Sequence, residues 1–162
     1  MVDDTERAYQ KALFLLERRD HTEAELRQKL RDREFNQDTI DCVLSRLVTY
    51  GLIDDKRFTE HFLRYYGNNY SKRILSIKLM KKGIRAELFD SVYSEMMEEL
   101  GRNPEQEALE KAVAAALRKT ERKGITPDAL SQVEKDKIIA SLFRKGYPVS
   151  KIRSELEKAV ES

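Results

Sequence analysis

The sequence repeats one spacing of apolar residues three times. Leu30, Leu79 and Leu142 occupy equivalent positions in the three copies, which lie 49 and then 63 residues apart. Aligned on these leucines, each copy places apolar residues at the same five positions: Leu26, Leu30, Phe35, Ile40 and Leu44; Leu75, Leu79, Ile84, Phe89 and Tyr93; Ile138, Leu142, Tyr147, Ile152 and Leu156. Helical periodicity alone does not give five matches in three segments, so we interpret the chain as an internal triplication.

Each copy is predicted to be a unit of three helices. Only six Gly and three Pro interrupt 162 residues, and no segment alternates apolar and polar residues as a strand does. We divide the chain into three repeats, residues 1–53, 54–101 and 102–162, and predict a single helix over 128–145. A unit of this size cannot bury its apolar face alone, so the repeats are expected to stack into an elongated, curved all-α array.

The second helix of each repeat has recognisable start and stop signals. In the middle repeat, Ser71 is a typical N-cap, and Gly83 is suited to the left-handed conformation that ends a helix. In the first repeat, Thr22 and Glu25 have the spacing of a capping box, and Glu34 replaces the glycine. The same local chemistry is therefore expected to bound equivalent helices.

The composition argues against a membrane protein and against a secreted protein held together by disulfides. Charged residues make up 37% of the chain and apolar residues 40%, and no segment approaches the run of about 18 apolar residues that spans a membrane. The acidic, polar N-terminus is unlike a signal peptide, and the lone Cys42 excludes a disulfide framework. We therefore expect a protein of the reducing cytoplasm without membrane association.

The charges of the chain are distributed in blocks. Residues 56–85 contain nine Lys or Arg and one acid, whereas residues 86–99 contain five acids and no Lys or Arg. A basic block followed by an acidic block favours an anionic partner for one face of the molecule. Neutralisation between neighbouring helices explains the pattern equally well.

No constellation of reactive residues indicates an enzyme. His21 and His61 lack the partners at helical spacing that a metal site needs, and we interpret them as surface or packing residues. Cys42 lies among apolar residues and is interpreted as a small core residue. Asp54 and Asp55 are interpreted as helix caps rather than as a catalytic pair. Since a Gly-rich phosphate loop is also missing, we predict no catalytic residue, metal or cofactor.

Cations and aromatic residues are interleaved in the middle repeat. Such a mixture can neutralise phosphates and stack on bases. The aromatic members are Phe58, Phe62, Tyr65, Tyr66 and Tyr70, and the cations are Arg57, Arg64, Lys72, Arg73, Lys78, Lys81 and Lys82. The alternative is that the cations only solubilise the surface and that Phe58 and Phe62 belong to the core, which we favour for these two. Ile74, Ile77 and Met80 form an apolar face that either packs against a neighbouring repeat or meets a partner.

A helix-turn-helix regulator of promoters is the main alternative function, because each repeat joins its helices by short turns. The helix that would enter the DNA groove in the middle repeat, residues 85–100, is acidic, and phosphates would repel it. Any DNA contact is therefore expected from the two helices that precede it.

Four short motifs follow one another along the chain. They are Glu25-Leu26-Arg27-Gln28-Lys29-Leu30 after Thr22; Ile53-Asp54-Asp55-Lys56-Arg57-Phe58 with Phe62; Lys82-Gly83-Ile84 preceded by Leu75 and Leu79; and Arg144-Lys145-Gly146-Tyr147. In this order and spacing they resemble the RecX family, the bacterial modulators of the RecA recombinase. The resemblance covers nearly the whole chain.

This resemblance implies three tandem three-helix repeats and no enzymatic activity. It implies binding to RecA and to RecA filaments on single-stranded DNA, along the filament groove. The implied result is inhibition of ATP hydrolysis, strand exchange and co-protease function, and so a part in DNA repair, recombination and the SOS response. Weak DNA binding without sequence preference is compatible with this role, and a monomer is expected.

The partner-binding candidates combine this resemblance with charge density. Arg57 matches the family pattern best and Lys82 next. The chain departs from the pattern at Ser71, where the family usually has glycine, at Lys78, where it usually has an acid, and at Ile74 and Tyr66, where it often has basic residues. The nine candidates are Arg57, Arg64, Lys72, Arg73, Lys78, Lys81, Lys82, Arg144 and Lys145.

Overall fold

The computed structural model describes residues 3–161, which form nine α-helices and one short 3-10 helix and contain no β-strand. The α-helices are α1 Asp4–Arg18, α2 Glu23–Asp32, α3 Gln37–Thr49, α4 Asp55–Tyr66, α5 Lys72–Lys81, α6 Ala86–Leu100, α7 Pro104–Glu121, α8 Gln132–Arg144 and α9 Val149–Glu161. The prediction of an all-α protein is confirmed.

The apolar spacing that defines the triplication corresponds to buried positions. Fourteen of the fifteen aligned residues are buried, and Phe35 is half-buried. Burying a large aliphatic or aromatic side chain stabilises a fold by about 1.5–3 kcal/mol, so five such positions per repeat account for much of its driving force. The repeated spacing is therefore the pattern of the core.

The second helix of each repeat ends in the same Schellman turn. In each turn a leucine carbonyl accepts a hydrogen bond from the amide five residues later, at 3.3, 3.0 and 3.3 Å for Leu30, Leu79 and Leu142. The residue before that amide has a positive φ: 66° at Glu34, 88° at Gly83 and 94° at Gly146. The first repeat thus uses a glutamate where the others use glycine.

Local capping residues fix where several helices begin. Thr22 and Glu25 form the predicted capping box at the start of α2. Asn36 accepts a hydrogen bond from the Thr39 amide at 2.8 Å and caps α3. Asn103 caps α7, whose first helical residue is a proline. These starts follow from short-range sequence signals.

The prediction of one helix over residues 128–145 is wrong. Residues Pro127–Ala129 form a 3-10 helix, Leu130 is buried, and α8 starts only at Gln132. The reason is a second capping box, in which Ser131 and Glu134 bond each other's backbone amides. A capped start satisfies orphan amides and so favours a new helix over a continuous one.

Two compact units divide the chain. Unit 1 consists of Met1–His61 and Lys78–Ser94, and unit 2 of Phe62–Ile77 and Glu95–Ser162. The helices α4, α5 and α6 therefore contribute residues to both units. The division of the sequence into repeats at residues 53 and 101 stays a prediction.

Each unit has its own hydrophobic core. In unit 1, α1, α2 and α3 pack around buried residues that include Ala12, Leu30 and Leu44. In unit 2, α7, α8 and α9 pack around a corresponding set that includes Leu109 and Leu142.

Candidate interaction surface

Within unit 1, the start of α2 contacts the turn that follows α5, and we call this contact the first junction. The Thr22 hydroxyl donates a hydrogen bond to the carbonyl of Lys82 and accepts one from the Glu25 amide at 3.1 Å. Gly83 lies directly on α2, because a Cβ atom at this position would overlap the Cβ of Ala24. The first junction therefore needs glycine for space as well as for its positive φ.

Within unit 2, the start of α5 contacts the turn that follows α8 in the same way, and we call this contact the second junction. The Ser71 hydroxyl donates to the carbonyl of Lys145 at 2.8 Å and accepts from the Ile74 amide at 3.2 Å. A Cβ atom on Gly146 would lie 2.5 Å from the Ser71 Oγ and 3.3 Å from Arg73 Cβ. One hydroxyl thus caps a helix and binds the next turn in both units.

Acidic side chains at the first junction neutralise the cations that lie beside it. A Glu25 carboxylate oxygen lies 3.2 Å from the Arg19 guanidinium and 4.0 Å from Lys82 Nζ. Burial opposes ionisation of Glu25, but the hydrogen bond from the Thr22 amide and the charge of Arg19 outweigh it, so its pKa is lowered. Asp55 adds a second acid, since its carboxylate accepts from the Glu23 amide at 2.9 Å.

The second junction carries the opposite charge. Lys72, Arg73 and Ile74 stand at the aligned positions of Glu23, Ala24 and Glu25. The first turn of α5 contains no acid, although a helix N-terminus favours acidic side chains. Cations therefore accumulate at a helix end where the local electrostatics disfavour them.

The nine candidate cations fall into two groups. Arg57, Lys78, Lys81 and Lys82 belong to unit 1, and Arg64, Lys72, Arg73, Arg144 and Lys145 belong to unit 2. All are exposed except Lys78 and Lys82, which are half-buried. The second junction brings Arg73 next to the turn that contains Arg144 and Lys145. These positions leave the binding role of each candidate a prediction.

Two unit 1 candidates have structural contacts. The Arg57 guanidinium donates to the carbonyl of Gly51 at 3.1 Å, which ties α4 to the turn before it. Lys82 Nζ lies near Glu25 and 6.0 Å from the centroid of the Phe58 ring. Substitutions at Arg57 or Lys82 therefore disturb the fold of unit 1 as well as its charge.

The aromatic residues at the end of α4 form a continuous cluster in unit 2. The Tyr66 ring centroid lies 4.7 Å from that of Phe62, 4.6 Å from that of Tyr65 and 6.0 Å from that of Tyr70. Tyr65 is 74% exposed, so its ring faces solvent. The interpretation of Phe58 and Phe62 as core residues is only half right, because both are half-buried.

The apolar face of α5 divides between packing and exposure. Ile74 packs on the second junction, where a Cβ on Gly146 would lie 3.3 Å from its Cγ1. Ile77 and Met80 are 37% and 55% exposed. The first of the two predicted alternatives, packing against the next repeat, thus applies to Ile74.

The two histidines and Asp54, which the sequence singled out, each contact identifiable neighbours. His21 is buried, and its Nδ1 lies 2.9 Å from the carbonyl of Arg19, which requires a proton on Nδ1. Burial, and next the charge of Arg19, lower the pKa of His21. His61 is exposed and lies 3.9 Å from Asp20. Asp54 caps α4 through the Arg57 amide at 3.1 Å, as predicted.

The interpretation of Cys42 as a core residue is wrong, because its side chain is exposed. The buried stripe of α3 runs through Ile40, Val43, Leu44 and Leu47, and Cys42 lies off that stripe. Across residues 3–161, no group of His, Cys, Asp or Glu is arranged to hold a metal ion. None of the helices in this same range is long and apolar enough to cross a bilayer.

The two junctions are the contacts around the candidate surface that the sequence alone did not reveal. Thr22 and Ser71 were recognisable only as caps, and their second bonds join residues 60 and 74 positions apart. A signal was present, because both hydroxyls precede equivalent helices and both Lys-Gly pairs follow equivalent helices. Combining the two alignment offsets would have paired each cap with the next turn.

These features define an all-helical protein with a repeated helical pattern, in which the hydroxyl that caps one helix also binds the turn after the equivalent helix of the next repeat. Residues 8–47 match the family model described as RecX, first three-helix domain. The regulatory protein RecX of Clostridium acetobutylicum is 32% identical over 154 residues, covering 93% of this chain and 68% of that protein. The regulatory protein RecX of Mycolicibacterium smegmatis is 35% identical over 144 residues, covering 88% of this chain and 73% of that protein. The chain belongs to the RecX family.

Solved structures agree with the fold. The crystal structure of RecX from Lactobacillus salivarius superposes with a TM-score of 0.81 over 100% of both chains, at 24% identity. A second RecX crystal structure gives a TM-score of 0.76 over 94% of this chain and 72% of that one, at 21% identity. The predicted family and the predicted helical repeat array are thus confirmed, and the relatives are named regulatory proteins.

Proposed function

We propose that this chain is a non-enzymatic regulator that binds RecA and RecA filaments on single-stranded DNA and inhibits ATP hydrolysis, strand exchange and co-protease activity. The observation that carries the proposal is the match to RecX regulatory proteins along 93% of the chain. The protein acts by occupying the filament groove, in the cytoplasm and as a monomer. No catalytic residue of its own is needed for such an action.

The exposed cations of unit 2 support the proposal, because they form a surface suited to an anionic filament. Arg64, Arg73 and Arg144 are exposed, and the second junction brings Arg73 and Arg144 into one neighbourhood without an acid in the first turn of α5. A filament on DNA presents phosphates, and cations attract such a partner over a distance of about 10 Å at moderate salt. Occupancy of the groove would then block the movements that ATP turnover requires.

A promoter-binding regulator is the competing function, and the charge of α6 argues against it. In the helix-turn-helix arrangement the third helix of the repeat enters the major groove. Residues 86–99 carry five acids and no Lys or Arg, so DNA phosphates repel this helix. A regulator of that kind prefers one duplex over another, whereas the proposed one has no such preference.

The test of the proposal is RecA ATP hydrolysis on single-stranded DNA, titrated with this protein up to equal concentration. Inhibition is expected. A fall at substoichiometric ratios indicates action at filament ends, and a fall only near equal ratios indicates occupancy along the groove. Unchanged hydrolysis with the RecA of the same source would overturn the proposal, and selective binding to one duplex would then favour a promoter regulator.

The contribution of the unit 2 cations is tested by charge reversal. The triple variant Arg64→Glu, Arg73→Glu, Arg144→Glu is expected to inhibit RecA at least tenfold less well, because three side chains that attract phosphates then repel them. The matched control is Lys111→Glu, Lys119→Glu, Lys137→Glu, which reverses three exposed cations of the same unit on α7 and α8. Equal inhibition by the two folded variants would remove this surface from the mechanism.

A further inference from the structure

The end of α4 presents an aromatic ring to solvent on a rigid base. Tyr65 is 74% exposed and packs edge-on against Tyr66, with an angle of 77° between the two ring planes. Tyr66 is held in turn by Phe62 at 4.7 Å and by Tyr70 at 6.0 Å. An exposed ring that packs against a neighbouring ring, which two further rings hold in place, loses little conformational freedom when it stacks on a planar ligand.

This ring cluster is continuous with the cations of the second junction. Tyr70 contacts Tyr66 and directly precedes Ser71, whose hydroxyl binds the carbonyl of Lys145. Arg73 borders the same turn, because a Cβ on Gly146 would lie 3.3 Å from Arg73 Cβ. Aromatic and cationic side chains thus lie side by side within unit 2.

The segment that forms this surface contains no negative charge of its own. Residues 62–77 contain three cations, Arg64, Lys72 and Arg73, and no acid. At the first junction the aligned segment supplies Glu23 and Glu25, and Glu25 pairs with a lysine of the turn. The second junction has a lysine in its turn but neither of those acids, so its positive charge suits an anionic partner.

We propose that this surface binds single-stranded DNA, with Tyr65 stacked on a base and the surrounding cations neutralising the adjacent phosphates. Exposed rings next to cations are the elements that bind single strands without sequence preference. In a duplex the faces of the bases are covered by neighbouring base pairs, so Tyr65 cannot stack on them. The choice of DNA over RNA rests on the proposed function, in which the chain works on filaments formed on single-stranded DNA.

The experiment measures binding of this chain alone to a fluorescent oligothymidylate of about 16 nucleotides, by anisotropy at low salt. Tyr65→Ala is expected to weaken binding about tenfold, since stacking on one base contributes about that factor. Tyr65→Phe keeps the ring and is expected to bind as the unchanged protein does. Tyr50→Ala is the matched control, because Tyr50 is 64% exposed but lies at the end of α3 in unit 1.

The cationic part of the surface is tested by the salt dependence of the same binding. The variant Arg64→Ala, Arg73→Ala is expected to bind more weakly and to show a shallower slope of log affinity against log salt, by about 0.7 for each phosphate that the variant no longer neutralises. Tyr65→Ala is expected to keep the original slope, because the ring carries no charge.

Three results would overturn the inference. They are no binding of the oligonucleotide by the unchanged protein, equal binding by Tyr65→Ala and Tyr50→Ala, and equal weakening by Tyr65→Ala and Tyr65→Phe. Assaying the same variants for inhibition of RecA separates the two proposals. Inhibition without binding of the oligonucleotide leaves the proposed function intact and rejects the stacking surface. Binding without inhibition does the reverse.

Discussion

Thr22 and Ser71 make the same pair of hydrogen bonds at the two junctions, but the first turns of their helices carry opposite charge. At the first junction the turn lysine, Lys82, lies 4.0 Å from Glu25. At the second, Ile74 stands where that glutamate would be, and Lys72 and Arg73 precede it. The shared part of the contact is a hydroxyl, a carbonyl and a glycine, so it fixes the packing without using charge. The charged positions around it therefore differ between the two junctions, while the packing contact stays the same.

The largest expected effect comes from removing the space that a junction needs. Gly83→Ala forces a Cβ into Ala24 and places alanine at a φ of 88°, so the free energy of unfolding is expected to fall by about 3 kcal/mol. Gly124→Ala is the matched control, since Gly124 has a φ of 84° with no atom within 4 Å of the added Cβ. It should lose about 1 kcal/mol, from backbone strain alone. Equal losses in urea denaturation would mean that close packing at the first junction contributes nothing.

Removing either hydroxyl is expected to cost less. Thr22→Val and Ser71→Ala each lose a helix cap and leave a carbonyl in a partly buried contact without its donor, which together should cost about 2 kcal/mol. Asn36→Ala removes a cap alone and should cost about 1 kcal/mol. Thermal denaturation measures all three variants. If Thr22→Val and Ser71→Ala cost no more than Asn36→Ala, the hydroxyl-to-carbonyl bonds do not stabilise the junctions.

The turn of the first repeat provides a stabilising variant. Glu34 is exposed and has a φ of 66°, which is strained for any residue with a Cβ. Glu34→Gly is expected to raise the free energy of unfolding by about 1 kcal/mol, because strain is relieved and the side chain that is removed is not buried. Glu34→Ala keeps the Cβ and should change little. A gain with alanine equal to that with glycine would assign the effect to charge instead of strain.

The smallest expected effect is a dependence of stability on pH at the first junction, where a histidine precedes the capping residue. His21 precedes the first junction, and Tyr70 is its aligned residue at the second. Because the folded-state pKa of His21 lies below 6.5, the unfolded chain binds more protons, and stability should decline as pH falls below 6.5. The loss from Glu25, whose pKa is also lowered, begins only below pH 4.5. Between pH 6.5 and pH 4.5, the melting temperature of His21→Asn should depend less on pH than that of the unchanged protein. Equal dependence on pH would contradict this assignment.

Much of the fold could be predicted because its signals are local or periodic. The spacing around Leu30, Leu79 and Leu142 marks positions that are buried, and caps such as Thr22 mark helix starts a few residues away. The error over residues 128–145 concerns a signal of this same kind, the Ser131 capping box, which a continuous helix would leave unused. Local signals therefore suffice to place the helices of this chain.

The site was harder to predict, because its contacts join distant parts of the chain. The hydroxyl of Ser71 donates to a carbonyl 74 residues later, and neither residue taken alone indicates that bond; only a comparison of the repeats does. The misplacement of Cys42 has a simpler cause. Apolar neighbours in sequence do not share a helix face, and only the stripe through Ile40, Leu44 and Leu47 is buried. Face assignment by helical geometry would have placed Cys42 outside.

The exposure of Cys42 gives the molecule a natural point of attachment. It is the one cysteine of the chain, and its thiol lies on the solvent side of α3 in unit 1. A thiol-reactive dye would therefore mark every molecule once, at a known position, without entering the core. Copies of the protein could then be counted one by one on a single filament of the proposed partner.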